Sequence, residues 1–231
     1  MMADAPIKVL LVDDQPLLRM GFRLILEGEA DLHVVGEASD GLEALRKVEE
    51  LDPDVVLMDV RMPAMDGIEA TKRITGSASN ARVIILTTFD LDEYAFSGLQ
   101  AGASAFLLKD VAPSELVHGV RIVASGDAVV APRVTQRLLE TYVRGGPVPG
   151  QNSQPPRDPL LEELTPRETE MLEAIAKGLS NAEIAHKFFL SEATVKTHVR
   201  RILTKLHLRD RVQVVVYAYE TGLVVPSNPD Y

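Results

Sequence analysis

The run Val55-Val56-Leu57-Met58-Asp59-Val60-Arg61-Met62-Pro63-Ala64-Met65-Asp66-Gly67 decides how the first half of this chain is read. Four apolar residues lead without a break into an aspartate, and a loop bounded by Pro63 and Gly67 follows. An unbroken apolar run closed by turn formers predicts a strand buried on both faces, as in parallel sheets. Asp59 is its last residue. Ligands of open α/β sheets bind outside the carboxyl ends of the strands, so a carboxylate there stands where chemistry can occur. On this stretch alone, an aspartate that merely caps the next turn is an open alternative.

Outward from that strand the chain alternates. Ile7–Val12 predicts a first strand ending at Asp13-Asp14, and Pro16 opens a helix on which Leu17, Leu18, Gly21, Leu24 and Ile25 keep helical spacing. Val34-Val35 predicts a short second strand, and Leu42, Leu45 and Val48 a second helix between Gly41 and Pro53. A third helix is expected over Ile68–Ile74 and a fourth strand over Val83–Leu86, ending at Thr87-Thr88. Residues near Glu93–Leu99 form a fourth helix stopped at Gly102, Ala105–Leu108 a fifth strand ending at Lys109, and Pro113 opens a fifth helix to about Ala124. Such alternation predicts an α/β domain, a doubly wound five-stranded parallel sheet with right-handed crossovers, over residues 1–125.

Residues 126–159 read differently. A helix is expected at 132–143, followed by Gly145-Gly146-Pro147-Val148-Pro149-Gly150-Gln151-Asn152-Ser153-Gln154-Pro155-Pro156, a linker with too little apolar surface to fold. Residues 160–231 carry a purely helical pattern and predict a small all-α domain. Thr165-Pro166-Arg167-Glu168 and Ser180-Asn181-Ala182-Glu183 are capping boxes, Ser191 caps a third helix, and a fourth runs from about Arg211 to Thr221. Helix, tight turn at Phe188–Leu190, helix is a helix-turn-helix arrangement.

Composition limits the functions on offer. With no cysteine, thiol chemistry, disulfides and Cys-ligated zinc are excluded. No apolar stretch approaches the roughly 20 residues that span a bilayer, so no membrane role is expected. The run Ile7–Val12 is too short, and Asp13-Asp14 too acidic, for a secretory signal; the expected compartment is the cytoplasm. The net charge of −10 is uneven: residues 1–159 carry 15 Lys/Arg against 24 Asp/Glu, while residues 192–211 hold six basic residues against Glu192 and Asp210. An acidic module joined to one with a basic face follows.

In a parallel sheet of order 2-1-3-4-5, Asp13, Asp14, Asp59, Thr87 and Lys109 all emerge at one edge. Three carboxylates together repel unless a cation intervenes, and Mg2+ suits such an oxygen set. With Lys109 and Thr87 available to phosphoryl oxygens, the constellation suits phosphoryl transfer to a carboxylate nucleophile. Any one of these residues alone could be a helix cap, a strand end or a solvated tip. On the third C-terminal helix, Val195, Val199, Ile202, Leu203 and Leu206 form one apolar stripe, with Lys196, Thr197, Arg200, Arg201 and Thr204 opposite. A basic face after a tight turn suits the DNA major groove, although charge alone would also fit a plain solvated face.

Residues 1–125 resemble the receiver domain of two-component response regulators. The residues concerned are Asp13-Asp14, the D-V-R-M-P-A-M-D-G run from Asp59, Leu86-Thr87, and G-A-S-A-F-L-L-K from Gly102 to Lys109. The segments Leu164–Glu168, G-L-S-N-A-E-I-A from Gly178 and S-E-A-T-V-K-T-H-V-R-R-I-L-T-K-L from Ser191 resemble the LuxR-type helix-turn-helix. Together they place the chain near the NarL/FixJ type, which implies a flavodoxin-like receiver and a regulator rather than an enzyme. The resemblance implies that a sensor histidine kinase phosphorylates Asp59, with Mg2+ held by Asp13, Asp14, Asp59 and the backbone carbonyl of Arg61. Thr87 and Lys109 would take the phosphoryl oxygens, Phe106 would be the switch aromatic, and Arg61 and Phe89 would tune the lifetime of the phosphoryl group. Lys196, Thr197 and Arg200 would meet bases or nearby phosphates of double-stranded DNA, and Ser191, Thr194, Arg201 and Lys205 its backbone. A homodimer is implied when phosphorylated or DNA-bound; the helix of Val212, Val215, Val216 and Tyr219 usually supplies a contact in this family, with packing within the domain an equal alternative for any one of them. A rival from another class is an aspartyl-phosphate hydrolase of the haloacid-dehalogenase type, but it needs an acid at the position of Arg61. A receiver-like scaffold that is never phosphorylated would be expected to lack the acidic pair or Lys109.

Overall fold

The computed structural model describes residues 5–88, 97–126 and 158–224. The expected helix at 132–143, the linker and Phe89 lie outside them. The chain divides into two compact units, Met1–Ala128 and Val129–Tyr231.

The first unit is a five-stranded parallel sheet of order β2-β1-β3-β4-β5. Its strands are β1 (Ile7–Val12), β2 (Leu32–Ala38), β3 (Val55–Asp59), β4 (Arg82–Thr87) and β5 (Ala105–Leu108). Helices α1 (Pro16–Glu27), α2 (Gly41–Leu51), α3 (Gly67–Gly76), α4 (97–100) and α5 (Pro113–Ser125) connect or follow them. Every residue of β3 is buried, as its unbroken apolar run requires. Side chains alternate faces along a strand. Val9, Leu11, Val55, Leu57, Ile84 and Leu86 meet Phe22 and Leu26 of α1 and Leu116, Val117, Val120 and Val123 of α5 in one core.

Two sequence expectations are corrected. β2 runs over seven residues rather than two, because an edge strand needs only one apolar face; its backbone pairs with β1 from Leu32 to Ala38 even where Gly36 and Glu37 break the pattern. On α1 the buried face is Phe22 and Leu26, whereas Leu17 is 85% exposed and Leu24 65% exposed.

The second unit opens with a 3-10 turn (Pro159–Glu163), followed by α6 (Pro166–Ala176), α7 (Asn181–Phe188), α8 (Glu192–Lys205) and α9 (Arg211–Glu220). Both expected capping boxes form: Thr165 and Ser180 each accept from a backbone amide three residues on, and Glu168 and Glu183 answer to the cap residues. Met171, Leu172, Ile175, Ile184, Val195, Ile202, Leu206 and Val215 make its core. Among the described residues no helix is long and apolar enough to cross a membrane.

Candidate functional site

Strand register brings Asp13, Asp59, Thr87 and Lys109 together. Val12 lies beside Met58, so Asp13, one residue on, comes level with Asp59. Asp59 lies beside Leu86 and Thr87 beside Leu108, so Thr87 and Lys109 follow in steps along the same edge. Lys109 Nζ sits 2.8 Å from Asp59 Oδ2 and 2.7 Å from Asp13 Oδ2, with all three side chains almost fully buried. Carboxylate oxygens of Asp13, Asp14 and Asp59 lie within 4.8 Å of one another, Asp14 on the exposed side.

The cluster is electrostatically loaded. Burial pushes the Asp59 carboxyl up; Lys109 pulls it down, the charge of Asp13 raises it again, and the net position is above the ordinary carboxylate value. For Lys109, burial lowers the ammonium, but its two carboxylate partners outweigh burial and leave it raised. The Asp13 Oδ2 oxygen, which faces the pocket, has the Lys109 ammonium as its partner at 2.7 Å. Three converging carboxylates against a single ammonium leave negative charge in excess, and their oxygens fit a hard divalent cation.

Local structure holds Asp59 in place. Gly67 starts α3 against it: a β-carbon there would overlap the Asp59 carbonyl oxygen, and the Gly67 amide donates to Val60 O at 2.9 Å. Asp66 caps α3 by accepting from the Glu69 amide at 2.8 Å. Arg61 is exposed on the β3–α3 loop. Thr87 and Phe106 are both buried, Phe106 paired in register with Ile85.

In the second unit, Val195 and Ile202 of α8 and Leu206 just past its end are buried and Val199 and Leu203 half-buried, while Ser191, Thr194, Lys196, Thr197, Arg200, Arg201 and Thr204 are exposed. Ser191 caps α8 through the Thr194 amide, and its hydroxyl lies 2.8 Å from that of Thr194. Lys205 departs from the expectation of a DNA backbone contact. Its ammonium points inward, 2.7 Å from Glu168 Oε2 and 3.0 Å from Glu163 O. Of the two readings of Val212, Val215, Val216 and Tyr219, packing within the domain is the one this chain's own burial favours. All four are buried within the single chain, and the Tyr219 hydroxyl donates to Ala176 O at 3.2 Å. An apolar helix face of a small domain is used first for its own core. His198 packs on α8 with its Nδ1 buried and without a hydrogen bond among the described residues.

Sequence reasoning missed three features of these sites. One is the inward role of Glu168 toward Lys205. Another is the contact of Gly67 with Asp59. The third is the exposed apolar row Leu17, Met20 and Leu24 on α1, whose i, i+3, i+7 spacing resembles a core stripe until burial is known.

Known proteins share both halves. Residues 9–121 match the response regulator receiver domain, and residues 162–218 match the bacterial regulatory proteins of the luxR family. The chain is 44% identical over 218 residues to the uncharacterized transcriptional regulatory protein YxjL of Bacillus subtilis, covering 94% of this chain and 97% of the relative. It is 41% identical over 218 residues to the transcriptional regulatory protein LiaR of the same organism, covering 94% of this chain and 99% of the relative. The crystal structure of response regulator ChrA, of a heme-sensing two-component system, superposes with a TM-score of 0.51 at 35% identity, covering 95% of this chain and 100% of that one.

Proposed function

The chain belongs to the response regulators that join a receiver domain to a LuxR-type DNA-binding domain, and on that premise we propose that a phosphoryl group on Asp59 is the signal its C-terminal unit reads. It is a transcriptional regulator of a two-component system, as its relatives are, and not an enzyme. The observation that carries the reading is the Lys109 ammonium within 2.8 Å of both the Asp59 and the Asp13 carboxylate at one sheet edge.

Ionised Asp59 attacks the phosphorus of a phosphohistidine on a sensor kinase. A P–O bond forms as the P–N bond breaks, and the departing imidazole keeps the electron pair and takes up a proton. Lys109 exchanges a carboxylate partner for a non-bridging phosphoryl oxygen, and the Thr87 hydroxyl donates to another. Asp13, Asp14, Asp59 and the Arg61 carbonyl would hold Mg2+, which would supply positive charge to offset the negative charge of the phosphoryl oxygens. Exposed Leu17, Met20 and Leu24, on the helix that follows Asp13-Asp14, offer the kinase an apolar contact. Movement of Thr87 toward the phosphoryl group repacks Phe106 and shifts the population between two receiver states.

In the second unit Lys196, Thr197 and Arg200 meet bases or nearby phosphates, while Ser191, Thr194 and Arg201 meet the DNA backbone. Lys205 instead keeps α8 seated on α6. A homodimer of phosphorylated chains would place two α8 helices on successive half-sites of cytoplasmic DNA. A haloacid-dehalogenase-like hydrolase is disfavoured, since exposed Arg61 stands where its second acid belongs.

The test is intact-mass measurement after incubation with acetyl phosphate and Mg2+. Wild type gains one acid-stable, base-labile phosphoryl group and Asp59→Ala gains none; no gain on wild type sinks the proposal.

A further inference from the structure

Asp13 has four polar positions, and three of them are committed. Its amide donates to Ala38 O on β2 at 3.1 Å. Its Oδ1 accepts from the Gln15 amide at 2.8 Å. Its carbonyl oxygen accepts from Arg19 Nη1 at 2.5 Å. The fourth, Oδ2, faces the carboxylate cluster, where it pairs with the Lys109 ammonium at 2.7 Å.

Arg19 is itself held. Its Nε donates to Glu37 Oε2 at 3.0 Å, and the other Glu37 oxygen accepts from Arg23 Nε at 2.6 Å. Lys47 donates to the Glu37 backbone carbonyl, joining α2 to the same point. Arg23, burial and Arg19 together leave the Glu37 carboxyl below its ordinary value, the two arginines outweighing burial, so the anchor stays charged at neutral pH. The planar guanidinium suits this arrangement because it can donate in two directions from one rigid group, which an ammonium on a flexible stem cannot do with the same geometry. α1 also has no side-chain hydrogen bond at its N-cap, Gln15, and no acid in its first turn. The return bond from Arg19 to Asp13 therefore helps fix how that helix leaves the pocket.

We propose that Arg19 is a positioning residue for the cation site: by fixing the Asp13 carbonyl against Glu37, it aims Asp13 Oδ2 into the pocket. This rests on the reading of Asp13 as a ligand of Mg2+. Groups that orient metal ligands without touching the metal typically contribute roughly 10–100-fold to its affinity. Arg23 is the internal control. It shares the helix and the same glutamate but makes no bond to Asp13.

The experiment is calorimetric titration of the full-length, unphosphorylated chain with MgCl2, followed by phosphorylation rates from acetyl phosphate at saturating Mg2+. Arg19→Ala and Arg19→Lys are expected to raise the Mg2+ dissociation constant roughly 10-fold or more, while Arg23→Ala leaves it at the wild-type value. At saturating Mg2+ the Arg19 variants recover the wild-type rate. Unchanged Mg2+ affinity in a folded Arg19→Lys protein overturns the proposal, as does an equal loss in Arg23→Ala, which would mark a general staple of α1. Wild type that binds no Mg2+, or Asp13→Asn that binds it equally well, overturns the metal reading itself and this inference with it.

Discussion

Gly67 lies against the backbone carbonyl of Asp59 so closely that a β-carbon on it would overlap that oxygen. The start of α3 is thereby seated on the residue proposed to carry the phosphoryl group. The constraint is steric rather than torsional, since the glycines at positive φ are others, among them Gly102 and Gly126.

Gly67→Ala must push α3 away from β3 or distort the end of the strand. Overpacking of this kind costs about 1–3 kcal/mol. Urea unfolding of the receiver is expected to show that loss, with slower phosphorylation from acetyl phosphate. A variant equal to wild type in both would show that the loop yields freely.

Lys109→Met leaves the buried Asp13 and Asp59 carboxylates without their cation, while their desolvation remains. Thermal melts without divalent ions should show a destabilised receiver. Because a ligand that binds only the folded state stabilises by mass action, adding Mg2+ should raise the melting temperature more in the variant than in wild type. Equal increments would mean that Lys109 and the ion do not substitute for each other.

Glu168 supplies a pH signature in the C-terminal unit. Burial pushes its carboxyl up, but Lys205 and the Thr165 amide and hydroxyl outweigh burial and hold it at about 2, against an ordinary 4.5. A carboxyl depressed on folding stabilises fully above its unfolded value and loses that contribution as pH falls through the folded one. The stabilisation, on the order of 2–3 kcal/mol when discounted for the partly exposed Lys205, is expected to vanish between about pH 4.5 and 2. Glu168→Gln should be less stable at pH 7 and flatter across that window. A parallel pH profile would place the acid sensitivity elsewhere.

Arg200 and Arg201 are exposed on α8 and form no ion pair among the described residues. Arg201→Ala, if its partner is a phosphate, should weaken binding similarly on all DNA sequences and lower the salt slope by about 1. Lys196→Ala and Arg200→Ala should cost about 1–3 kcal/mol and relax base preference where they read a base. Fluorescence anisotropy at several salt concentrations separates the two, with phosphorylation of Asp59 unaffected in each. Binding that does not change in any of the three would exclude this face of α8.

Lys205→Ala should act through stability rather than contact, because its ammonium faces Glu168 and Glu163 O. Lower stability with an unaltered salt slope for DNA is the expected pair of results. A reduced slope with full stability would return Lys205 to the DNA surface.

What the amino-acid order determined by itself was local in origin. The β–α alternation, the strand ends Asp13, Asp59, Thr87 and Lys109, and the caps Thr165, Ser180 and Ser191 follow from side-chain period and cap spacing, which act within a few residues. Even the gathering of those strand ends needed only the rule that parallel strands share an exit edge. Tertiary structure alone decided which apolar residues of an amphipathic helix stay outside, as with Leu17 and Leu24, and that the apolar face of α9 is used inside its own unit. It also decided the partners of long charged side chains: Arg19 with Glu37 and the Asp13 carbonyl, and Lys205 with Glu168, 37 positions away. Such pairs depend on how elements pack, and a charge that reads as a solvated tip in sequence becomes a buried partner only when a distant element arrives beside it.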